Sequence, residues 1–220
     1  MLTEFKTLDY LLQIAAILYA IVPHEVAHGF AALKMGDPTA KLAGRLTLNP
    51  ISHLDLFGSI ILPGILIFSG SPVVLGYAKP VPVRADLLLG NRLKIIIVAG
   101  AGVVVNVALA IICALVFRGV RALMPGIESH MIFMGAKIFS GFLFYSIIFN
   151  VILAMFNLIP LPPLDGSRIF GALLPEKARY MLFKMAPAGI VILIALLATH
   201  KIDGLFSWII MPVIRFLTGM

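Results

Sequence analysis

The chain has 220 residues, 61% hydrophobic and 12% charged, with a mean hydropathy of +1.08. Its apolar runs reach the roughly 20 residues that a helix needs to cross a hydrocarbon core, which excludes an ordinary water-soluble domain. The formal charge of +7 does not point to nucleic acid, because Lys and Arg lie in short segments between apolar runs, as anionic lipid and the positive-inside bias would place them. The one cysteine, Cys113, lies inside an apolar run, so neither a disulfide framework nor a thiolate metal cluster is expected.

Residues 8–33 predict the first spanning helix. Lys6 ahead of the run and small residues near Ala20 imitate a signal peptide, but cleavage there would strip His24 of its helix, so the segment is read as retained. Inside it stands His24-Glu25-Val26-Ala27-His28, the pattern H-E-x-x-H. Ionisable groups at membrane depth are costly and usually functional. Residues four apart share a helix face, so both imidazoles can meet one ion while Glu25 stands beside it near a bound water. Zinc suits histidine nitrogen, and three protein ligands leave a position open for water.

Residues 56–70 are too short to span comfortably and carry Pro63-Gly64 at their centre; Ser69-Gly70-Ser71-Pro72 then turns into a second β-branched run. Residues 56–83 therefore predict a re-entrant, β-hairpin-like element, tolerated at membrane depth where protein or a water-filled cavity satisfies its backbone. Residues 93–117 and 131–156 predict two further spans. Ala99, Gly102, Asn106 and Ala110 fall three or four apart in the earlier one, a small-residue seam of the kind that packs membrane helices closely. After residue 156, Pro160, Pro162 and Pro163 stop the helix and Asp165-Gly166 forms a turn, which makes Asp165 the best candidate for a third metal ligand; alone, it could equally cap a helix beginning at Ser167. Residues 180–199 and 205–217 predict two last spans, the final one interrupted by Pro212. The expected fold is thus membrane α-helical, with about five spanning helices, a re-entrant element and a zinc site within the membrane. With no repeat or soluble module visible, residues 1–220 are expected to form one integral-membrane domain.

The stretches "HEVAHGF", "GRLTLNPISHLDLFGSIILP", "GYAKPVPV" and "NLIPLPPLDG", in this order, resemble the site-2 protease family of intramembrane zinc metalloproteases, particularly its compact prokaryotic branch. The likeness runs over about residues 15–170. It implies His24, His28 and Asp165 as zinc ligands, Glu25 as catalytic base, and Asn106 and Asn157 as polar groups that position the substrate backbone. It also implies a transmembrane protein substrate and a location in a prokaryotic cell membrane. One departure is visible: the family's Gly-Pro-x-x-Asn reads Gly102-Val103-Val104-Val105-Asn106 here. His53 and Asp55 belong to a matched stretch and are expected to fix a loop rather than bind metal.

Charge and parity give a topology. For Asp165 to share an ion with His24 and His28, the helices at 8–33 and 131–156 must run in the same direction, which holds if residues 56–83 re-enter rather than cross. Twelve Lys and Arg then fall on one side and four on the other, against ten and six for a full crossing. The positive-inside rule favours the re-entrant arrangement, with the metal nearer the cytoplasm. The expected function is an intramembrane zinc metalloendopeptidase. A divalent-metal transporter or sensor would distribute polar groups across the bilayer rather than concentrate them, and a non-catalytic relative that only binds transmembrane partners would have no need of Glu25.

Overall fold

The computed structural model describes residues 2–55, 61, 79–84, 87, 91–199, 204 and 206–220. Most of the stretch expected to re-enter the membrane, residues 56–60 and 62–78, lies outside the described residues, as does His200. The described chain is helical, with α1 Leu2–Lys34, α2 Thr39–Leu42, α3 Arg92–Leu123, α4 His130–Asn157, α5 Asp165–Leu173, α6 Glu176–Lys184, α7 Ala186–Ala198 and α8 Met211–Thr218. Among the described residues three helices are long and apolar enough to cross a membrane, within Thr7–Lys34, Arg92–Gly126 and His130–Asn157. All three correspond to expected spans, and each helix extends beyond the apolar run that announces it.

The two remaining expected spans come out differently. Residues 180–199 are divided at Met185 between α6 and α7, of 9 and 13 residues, each too short to cross alone. Pro187 explains the division: it sits in the first turn of α7, where its missing N–H leaves no bond unmade, whereas inside a longer helix it would break the ladder. Pro212 likewise sits in the first turn of α8, after a π-helical turn at Phe206–Ile210.

The chain forms two compact units. One comprises residues 1–20, 103–158 and 202–220; the other, residues 21–102 and 159–201. In the first, Ala110, Cys113, Ala114 and Phe117 of α3, Leu143, Ile147 and Val151 of α4, and Ile210 and Ile214 form the apolar core. A polar line runs through the same unit: Asn106 Nδ2 donates to Ala20 O (3.1 Å) and to Asn150 Oδ1 (2.7 Å), and Asn150 Nδ2 donates to Ser146 O (2.8 Å). Asn106, Asn150 and Ser146 are fully buried, and interhelical side-chain bonds of this kind hold membrane helices where the hydrophobic effect cannot.

In the second unit α1 ends at Gly36, whose φ of 102° is open to glycine and closed to most side chains; Asp37 N–H then closes on Ala32 O. Lys94 Nζ donates to Met35 O at the negative end of α1. The segment 79–84 is held at both ends: Arg45 donates to Lys79 O (2.6 Å), and Arg84 N–H donates to buried Asp37 (2.7 Å). Burial alone would raise the Asp37 carboxyl; hydrogen bonds from Thr39 and Arg84 more than reverse this and hold it below its ordinary value. His53 fixes the preceding loop, with its Nε2 on Thr47 O and its carbonyl accepting from Lys79 N–H.

Candidate metal centre

His24 and His28 lie one turn apart on α1, both buried. The prolines after α4 end that helix, and α5 begins at Asp165 itself, with Leu164 as its N-cap residue. Asp165 makes no capping hydrogen bond; its carboxylate turns to the imidazoles, at a helix end whose dipole favours a negative group. Asp165 Oδ2 lies 3.3 Å from His24 Nε2 and 3.1 Å from His28 Nε2, and the two Nε2 atoms are 3.1 Å apart.

That triangle fits a metal better than it fits a hydrogen-bond network. His28 Nδ1 lies 2.7 Å from Val98 O, and a carbonyl can only accept, so Nδ1 carries the proton and the neutral ring turns its Nε2 lone pair inward. In the neutral ring that a metal requires, a lone pair and a carboxylate oxygen face each other at 3.1 Å, and Asp165 Oδ2 is a buried oxygen with no well-formed hydrogen bond. A cation resolves the conflict. Tetrahedral ligands at about 2.0–2.1 Å from zinc stand about 3.3–3.4 Å apart, close to the edges observed, and two nitrogens with one carboxylate oxygen are a donor set zinc takes, with a fourth position open.

Gly102 completes the cradle. A Cβ there would come within 2.5 Å of both His24 Cε1 and His28 Nε2, so only glycine admits the two rings. Glu25 is partly buried, and its Oε2 accepts from Val81 N–H at 2.9 Å, so its carboxylate is held by the centre of the clamped 79–84 segment. Three contributors escaped the sequence reading. Val98 and Val81 act through backbone atoms that no residue type advertises, and Gly102 stood in a small-residue seam and in a family motif without a role at the metal. Asn106 belongs to the buried line described above; Asn157 Nδ2 donates to Leu153 O within its own helix.

A helical membrane chain that gathers the histidines of an H-E-x-x-H motif with a distant carboxylate is a metal-dependent membrane hydrolase. The chain belongs to peptidase family M50, whose profile matches residues 12–199. It is 34% identical over 202 residues to the Bacillus subtilis (strain 168) protein named "Putative zinc metalloprotease YwhC", covering 92% of this chain and 85% of that one. It is 30% identical to "Putative zinc metalloprotease Rip2" of Mycolicibacterium smegmatis, over 90% of this chain and 70% of that one, and 28% identical to the protein of the same name from Mycobacterium tuberculosis strain H37Rv, over 91% and 72%. No solved structure matches the chain significantly.

Proposed function

We propose that the chain is an intramembrane zinc metalloendopeptidase that cuts a peptide bond in or next to the transmembrane segment of membrane-protein substrates. The observation that carries this reading is the convergence of His24 Nε2, His28 Nε2 and the buried Asp165 Oδ2 within 3.3 Å of one another. Zinc held there supplies a Lewis acid and lowers the pKa of a coordinated water toward neutrality. Glu25 accepts the proton of the attacking water and passes it to the leaving amine, its carboxylate steadied by Val81 N–H. Val98 O keeps His28 in the tautomer that offers Nε2.

A helical substrate hides its carbonyls, so it must be extended at the cut. In this reading the segment leading to residue 83 pairs with it edge to edge, and Asn157 gives up its internal bond to hold the substrate backbone. Asn106, implied with Asn157 by the family resemblance, is better accounted for as the tie between α1, α3 and α4. Residues 1–220 are read as one integral-membrane domain, since α1 and α3 each contribute residues to both compact units. The re-entrant topology, with the metal on the cytoplasmic side, rests on the charge asymmetry, and a prokaryotic cell membrane agrees with the bacterial origin of the relatives. Transport and non-catalytic binding find no feature here that favours them.

The test is Glu25→Gln, with bound zinc and cleavage of a transmembrane reporter both measured. Zinc should stay, and cleavage should fall by about 10²- to 10⁴-fold, the usual contribution of a positioned base. Cleavage near the wild-type rate would remove Glu25 from this role.

A further inference from the structure

A cavity of about 430 Å³ lies in the unit that carries the metal ligands, within the ordinary range for a small-molecule site. Its wall is apolar, formed by Ile95, Val98 and Ala99 of α3, Ala172 of α5 and Phe183 of α6. Its polar lining is different in kind: Arg168 and Arg179 with the single carboxylate of Glu176. Neither guanidinium makes a hydrogen bond or ion pair among the described residues, and Arg179 is partly buried. The expected occupant is therefore an amphiphile with an anionic head and a hydrocarbon body.

We propose that this cavity binds one anionic glycerophospholipid, its phosphate on Arg168 and Arg179 and an acyl chain along the apolar wall. Arginine matches phosphate oxygens in bidentate geometry, and two such groups against one carboxylate leave a positive balance for the head to neutralise. The surrounding helix supports a lipid over a soluble anion: α6 exposes Tyr180 and Met181 beside Lys177 and Lys184, the pattern of a short helix at a membrane surface. The site adjoins the metal centre through one residue, because Val98 both lines the cavity and accepts the His28 hydrogen bond. A bound acyl chain packs against the α3 turn that fixes the ligand tautomer.

The test uses the full chain, stripped of lipid in detergent and then titrated with phosphatidylglycerol or phosphatidylcholine, with bound lipid counted by native mass spectrometry. The wild type should prefer phosphatidylglycerol. Arg168→Gln/Arg179→Gln should reduce that preference by about 30-fold, the equivalent of about 1 kcal/mol for each basic group near an anionic lipid. Arg168→Lys/Arg179→Lys should keep most of it, and zinc content reports folding in both. No preference in the wild type, or an unchanged one in the glutamine pair, overturns the proposal. Should the glutamine pair lose zinc, a photoactivatable phosphatidylglycerol decides: label on residues 176–184 supports the site, and label elsewhere overturns it. Label displaced from 176–184 by a substrate peptide but not by lipid also overturns it, since the cavity is then a peptide site.

Discussion

Two buried polar clusters in this molecule make opposite use of their hydrogen bonds. In the line through Asn106, Asn150 and the Ser146 carbonyl, three amide hydrogen bonds each end on a carbonyl or amide oxygen and tie helices together, while the buried Ser146 Oγ makes no hydrogen bond among the described residues. At His24, His28 and Asp165 the hydrogen bonds run out: Val98 O accepts from His28 Nδ1, and the buried Asp165 Oδ2 facing both rings has no well-formed hydrogen bond. A satisfied buried cluster stabilises a fold, whereas one short of a positive charge is a site for a cation. Both clusters are buried, and the difference lies in the charge: the second holds a carboxylate.

The largest effect that can break this contrast is a methyl group. Gly102→Ala places a Cβ within 2.5 Å of both rings, and zinc and cleavage should both fall to background, read by metal analysis and reporter cleavage. Full zinc in that variant would mean the rings do not sit where the cradle requires. A smaller effect is expected at the base. Val81→Pro removes the N–H that steadies Glu25, and should lower kcat by about tenfold with zinc retained, while Val81→Ala keeps the donor and should behave as wild type. Equal behaviour of the two variants would reduce the Val81 contact to packing.

The smallest effect belongs to the satisfied cluster. Asn106→Leu leaves Asn150 Oδ1 without its donor and should destabilise the protein by about 1 kcal/mol in detergent unfolding, with zinc unchanged. Asn106→Leu/Asn150→Leu should lose less than the sum of the two single variants, because both partners of one bond are gone. An unaltered unfolding curve with a raised KM would instead make Asn106 a substrate contact and end its role as a tie.

The cluster of His24, His28 and Asp165 was readable in the sequence because helix periodicity puts the two histidines on one face and because three prolines free Asp165 from a continuing helix. Helix ends were less readable. α3 runs on to Leu123 through Arg118 and Arg121, since hydropathy marks where the hydrocarbon stops and not where the helix does. The stretch 180–199 was read as one span because its summed hydropathy hides a local event, the Pro187 start of α7. Backbone partners such as Val98 O and Val81 N–H are invisible to any reading of side chains, since every residue but proline offers both groups.

Chelator competition for zinc, comparing the wild type with Asp165→Asn, is the most direct test of the metal centre. Asparagine keeps the volume and removes the charge that the histidine pair faces. Affinity should fall by more than the roughly 10- to 100-fold that altering a residue behind a ligand brings about. Equal affinity in the two proteins would mean that Asp165 does not hold the ion, and the centre described here would be wrong.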